Sequence, residues 1–80
     1  MIFVYVIKSQ IKNWIYVGMT NNLERRIAQH NKGQNKSTNP YKPFILLFFE
    51  TFPDTKEARA REKYLKSTSG KRWIRKNYSN

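Results

Sequence analysis

Eighty residues with sixteen Lys or Arg against five Asp or Glu carry a formal charge of +11 at pH 7. A chain this short is one domain, spanning 1–80, and buries only about 60% of the surface its unfolded form exposes. Its 39% hydrophobic and 15% aromatic content is too rich for disorder. The absence of cysteine excludes disulfide staples and thiolate metal sites and fits a reducing, cytoplasmic location. No stretch approaches the roughly 18 apolar residues that a membrane span needs. The surplus charge is uneven: residues 55–80 hold nine basic and two acidic side chains, residues 1–54 seven and three. A compact surface this basic attracts polyanions and releases counterions when it meets phosphates, so nucleic acid is the expected partner ahead of an acidic membrane or protein surface.

Residues 2–8 are apolar and β-branched and read as a strand, with no basic leader or cleavage site to suggest a secretion signal. Ser9 to Asn13 form a connection, and Trp14–Gly18 is a second run of strand formers, so a β-hairpin is the economical reading. Gly18 is expected to let the backbone leave the strand or approach something closely. Asn21 followed by Glu24 resembles a capping box opening a helix that Asn31-Lys32-Gly33 stops. Residues 33–43 form a polar loop punctuated by Gly and two prolines, where Lys36, Ser37, Thr38 and Lys42 are candidate phosphate contacts. Phe44–Glu50 is a continuous apolar run, expected as a strand covered on both faces. Asp54 with Glu57 caps a second helix running to about Lys66. Ser67–Gly70 is expected to break it, leaving a short basic helix or tail over Lys71–Lys76. The predicted fold is α+β, order ββαβαα, a small three-stranded antiparallel sheet flanked by helices.

Two polar placements break the amphipathic pattern. On the first helix, with Leu23 at zero and about 100° per residue, Ile27 falls near 40°, His30 near 340° and Arg26 near 300°. Arg26 and His30 therefore flank the core-facing stripe, whereas Arg25, at roughly 200°, is ordinary surface charge. On the second helix Glu62 lies between Ala58 and Leu65 on the apolar side. A carboxylate there must be paired, metal-bound or held at a cleft edge; Arg61, Arg59 and Arg26 are the candidate ion-pair partners. Tyr5 and Tyr16 sit on paired strands, where register can bring them to one face. One histidine without cysteines cannot build a zinc site, so His30 is an acid/base or phosphate-contact candidate.

Taken together these residues resemble the GIY-YIG endonuclease superfamily, specifically its small stand-alone members related to the N-terminal domain of the excision-repair nuclease. Phe3-Val4-Tyr5 and Tyr16-Val17-Gly18 match the two motifs, Asn22–His30 the first helix with its arginine and histidine, and Glu57–Ser67 the helix that carries the glutamate. The match runs over essentially the whole chain. Phe3 replaces the glycine of the first motif, and Met19 stands where repair-type members often have a lysine.

The resemblance implies a metal-dependent endonuclease hydrolysing phosphodiester bonds in DNA, or RNA, in repair or recombination and with little sequence specificity. It assigns Arg26 to transition-state charge and Glu62 to a single Mg²⁺ or Mn²⁺, with Tyr5, Tyr16 and His30 around the attacking water. Tyr5 leads as general base, assisted by His30 or Tyr16, because a neighbouring arginine and a metal-activated water are expected to lower the barrier that an ordinary phenol faces at neutral pH. Asn77 falls where some members place a phosphate-contacting asparagine, and Lys8, Lys36, Lys66, Lys71 and Arg72 are expected to hold the nucleic-acid backbone. The alternative is a non-catalytic nucleic-acid-binding module that retains the architecture.

Overall fold

The computed structural model describes residues 1–78. Strand β1 (Ile2–Ser9) is the centre of a three-stranded antiparallel sheet, with β2 (Ile15–Thr20) on one side and β3 (Phe44–Phe52) on the other. The helices are α1 (Leu23–Asn31), α2 (Thr55–Lys66) and α3 (Thr68–Tyr78), so the order ββαβαα and the α+β class are as expected. β1 is central because it alone can fill both sides: Val4, Tyr5, Val6 and Ile7 are all fully buried. Strand alternation sends Val4 and Val6 to one face and Tyr5 and Ile7 to the other. On the first face Val4, Val6, Ile15 and Val17 meet Ala58, Leu65 and Ile74 of α2 and α3. Fully burying an aliphatic side chain stabilises by roughly 1.5–3 kcal/mol, so this layer is the main source of stability. On the second face Tyr5, Ile7 and Phe44 pack with Trp14, Tyr16, Tyr41, and Leu23 and Ile27 of α1.

Four local expectations need correction. β2 runs through Gly18 to Thr20 rather than ending at the glycine. The α1 cap is Asn22, one residue later than expected, with its side chain accepting from the Arg25 amide at 3.1 Å. β3 is an edge strand, with Ile45, Leu46 and Phe49 exposed. Three helices cannot cover both faces out to that edge, so the strand covered on both sides is β1. A bulge between Val6 and Ile7 also leaves Leu47 without a partner and turns both Leu47 and Phe48 toward α2 and α3.

The fourth correction is at Ser67–Gly70, where the expected break is confined to Ser67, whose backbone is extended, and helix resumes at Thr68. Thr68, Ser69 and Gly70 are the first turn of α3, and the Ser67 hydroxyl accepts from the Gly70 amide at 3.1 Å. Serine and glycine are needed there because the turn sits against the end of α2. A Cβ on Gly70 would collide with the Tyr64 carbonyl and the Leu65 backbone. The Asp54 cap of α2 is as expected, accepting from Glu57 N at 2.9 Å. Arg61 then ties α2 to β3 through a two-pronged contact with Glu50, at 2.8 and 3.1 Å.

Candidate active site

The site is built from the second face of the sheet outward. Tyr5 lies opposite Gly18 in the β1–β2 register, and Tyr16 is two residues from that glycine, so both rings share a face with centroids 6.4 Å apart. Gly18 is where the Tyr5 ring crosses β2; a Cβ there would collide with the hydroxyl and the ring carbons beside it. The second of the two readings of Gly18, close approach, therefore holds.

Helix α1 brings two groups to the Tyr5 hydroxyl. His30 Nε2 is 2.8 Å from it, and Arg26 Nε donates to it over a longer 3.4 Å. Arg26 is steadied by Gln29, whose side-chain carbonyl accepts from Nη1 at 3.1 Å. Arg25 is exposed, as expected. His30 does more than flank the stripe: it is the one fully buried side chain of α1, while Leu23 and Ile27 are only partly buried. Its Nδ1 is 2.9 Å from the Thr38 hydroxyl, and Thr38 too is wholly buried. Thr38 is thus a partner of His30 and not an exposed phosphate contact.

Burial sets the electrostatics. It pushes the Tyr5 hydroxyl up to about 12, outweighing the Arg26 hydrogen bond that pulls it down; Tyr16 and the Glu62 carboxylate add to the rise. Arg26 does pull the phenol down, as expected, but burial outweighs it: the phenolate loses more hydration than one long hydrogen bond returns. Burial, reinforced by the positive charge of Arg26, holds His30 down at about 4, so its imidazole is neutral at pH 7.

Glu62 comes to the same region from α2, near enough for its charge to act on Tyr5. It sits between the fully buried Ala58 and Leu65 and keeps 16% of its side chain exposed. Its ion-pair partner is Lys66, one turn on at 3.3 Å, rather than Arg61, Arg59 or Arg26; Arg61 is taken by Glu50. Lys66 also lies 6.0 Å over the Tyr16 ring, so α2 passes the β2 side of the site. Lys66 is half exposed, and a helix-surface pair at i,i+4 contributes only about 0.3–0.5 kcal/mol, so a cation or a phosphate can replace it. No cluster of three His, Asp or Glu side chains exists among the described residues. A single hard carboxylate of this kind fits an ion such as Mg²⁺, whose shell is otherwise water and substrate phosphate.

A model of the GIY-YIG catalytic domain matches residues 1–78. The chain belongs to that family. A UPF0213 protein of Clostridium perfringens is 43% identical over 65 residues, covering 80% of this chain and 69% of its own. The UPF0213 protein YazA of Bacillus subtilis is 38% identical over 71 residues, 88% of this chain and 71% of its own. In solved structures, the solution NMR structure of UPF0213 protein BH0048 of Bacillus halodurans matches with a TM-score of 0.58 and 28% identity. That match covers all of this chain and 88% of the other.

The remaining sequence candidates divide by face. Lys66 is at the site, and Lys36 is exposed on the loop that carries Thr38. Lys71, Arg72 and Asn77 are exposed on α3, which packs against the opposite face; Asn77 donates its amide back to the Trp73 carbonyl at 2.8 Å. Lys8 lies at the hairpin end of β1, lining an open hollow with Lys12 and Arg75. Among the described hydrogen bonds and ion pairs, none joins these four to Tyr5, Arg26, His30 or Glu62. Sequence reasoning missed Gln29 and the role of Thr38. Gln29 was findable at i+3 from Arg26. A loop threonine has no periodicity to mark it.

Proposed function

We propose that this domain is a metal-dependent endonuclease that hydrolyses phosphodiester bonds in nucleic acid, DNA ahead of RNA, with little sequence specificity. The observation that carries this reading is the chain Arg26–Tyr5–His30, a guanidinium on a phenol on a neutral imidazole, within reach of the charge of Glu62. In this reading the guanidinium of Arg26 grips the non-bridging oxygens of the scissile phosphate, where negative charge grows. Its 3.4 Å bond to Tyr5 is long, so a phosphate draws it away and uncovers the otherwise buried hydroxyl. At about 12, Tyr5 is not a standing phenolate at neutral pH. Its oxygen takes a proton from the attacking water as its own proton passes to His30 Nε2. Glu62 would hold a single Mg²⁺ or Mn²⁺, which when bound supplies a Lewis acid against the phosphate charge. Tyr16 and Lys66 border the site and orient the water and the strand.

One observation favours a second reading, a nucleic-acid-binding module without turnover: Tyr5 and His30 are wholly buried. A cleavage panel of flapped, branched, single-stranded and duplex substrates in Mg²⁺ or Mn²⁺, run beside Arg26→Ala and Glu62→Ala, separates the two. The nuclease reading expects cutting by the parent and a drop of at least about a hundredfold in each variant, typical of losing charge stabilisation at a reacting phosphate. Binding with no cutting on any substrate, or variants that cut like the parent, would overturn it.

A further inference from the structure

His30 has hydrogen-bonding neighbours at both ring nitrogens, and both neighbours are hydroxyls able to donate or accept. The order of protons along this chain is decided at its ends. Arg26 only donates, so the Tyr5 oxygen is an acceptor there and its hydrogen must go elsewhere. Within the described residues the one acceptor in range is His30 Nε2 at 2.8 Å. At the far end the Thr38 hydroxyl faces the Asn35 carbonyl at 3.4 Å, which only accepts. Each hydrogen then has one place: Tyr5 O–H to Nε2, Nδ1–H to the Thr38 oxygen, and Thr38 O–H to Asn35. The reverse order leaves a fully buried phenol proton with no acceptor, an arrangement that folded proteins avoid.

We infer that Thr38 is a positioning residue, holding His30 in the Nδ1–H tautomer so that Nε2 is free to take the Tyr5 proton. A histidine tautomer is set by the bond its other nitrogen makes, and here that bond goes to Thr38. The loop holds Thr38 there: Asn35 caps it, accepting from the Thr38 and Asn39 amides at 3.2 and 2.9 Å, and the turn Asn39–Tyr41 follows at once. The polar stretch between α1 and β3 therefore supports the site from behind.

The catalytic half of this inference rests on the nuclease reading; the proton order does not. His30 is the only histidine in the chain, so long-range ¹H–¹⁵N correlation spectra of the full protein at neutral pH report its tautomer without assignment. The parent is expected to show a protonated Nδ1 and a bare Nε2. Thr38→Val keeps the shape but lacks the acceptor, so either tautomer then leaves one buried hydrogen without a partner; the spectra should lose the pure Nδ1–H form for a mixture, and the variant should cut about a hundredfold more slowly with unchanged substrate binding. Thr38→Ser should restore both, which a packing role would not. An Nε2–H tautomer in the parent, or an unchanged tautomer in a folded Thr38→Val, overturns the inference. If the spectra behave as expected but the parent cuts nothing, the proton order stands, while the nuclease reading and the catalytic role fail together.

Discussion

Replacing Gly18 with alanine sets two effects of opposite sign against each other. Gly18 does not have a positive φ, so alanine is conformationally allowed there. Removing the unfolded-state freedom of a glycine stabilises by about 0.4–1 kcal/mol. The new methyl, however, would collide with the Tyr5 hydroxyl and ring. Tyr5 is fully buried, and its hydroxyl is held at 2.8 Å by an equally buried His30, so the ring cannot swing aside and keep that bond. Overpacking costs typically about 1–3 kcal/mol. Losing one hydrogen bond adds about 1 kcal/mol. The collision wins, and the net loss is about 1–3 kcal/mol, which lowers Tm by roughly 5–20 °C in a domain of this size. Thermal unfolding followed by circular dichroism measures it directly. The same substitution in a Tyr5→Phe background, with the colliding oxygen gone, should cost less. A Gly18→Ala protein that melts at or above the parent temperature would refute this account of the site.

Two further outcomes follow from the same geometry. Neutral His30 is held at about 4 in the fold against 6.5 in the open chain, so the unfolded state takes up the proton first and stability falls as pH drops from 6.5 toward 4, by up to about 3 kcal/mol. Urea unfolding at pH 7.5 and 4.5 should show that slope in the parent and a shallower one in His30→Gln; equal slopes would mean that His30 is not the titrating group. Arg61→Lys loses the two-pronged grip on Glu50 and the contacts with the Tyr64 and Trp73 rings, so it should cost about 1 kcal/mol despite conserving charge. A melting temperature matching the parent would show that this tie between α2 and β3 contributes nothing.

Helical spacing alone placed Arg26 and His30 on the inner side of α1 and Glu62 among the buried residues of α2, because a 3.6-residue period needs no tertiary knowledge. It could not say which was deeper, since depth depends on what the sheet presents opposite, here Tyr5 and Phe44. The partner of Glu62 was open for a similar reason: Arg61 looked available until β3 brought Glu50 to within 2.8 Å of it.

The strand order shows the same division. Apolar composition marked residues 44–50 as the strand to be covered twice, yet coverage belongs to whichever strand lies between two others, and that is β1.

What the sequence by itself determined is local and periodic: three strands, the α2 cap at Asp54, the +11 charge, and the side of each helix that turns inward. The tertiary structure decided whatever depends on distance between remote segments. That includes the burial lifting Tyr5 to about 12, the space Gly18 leaves for its ring, and the joining of loop residue Thr38 to His30. Desolvation and hydrogen bonding act through space, and no pattern along the chain records which groups will share a water-free pocket.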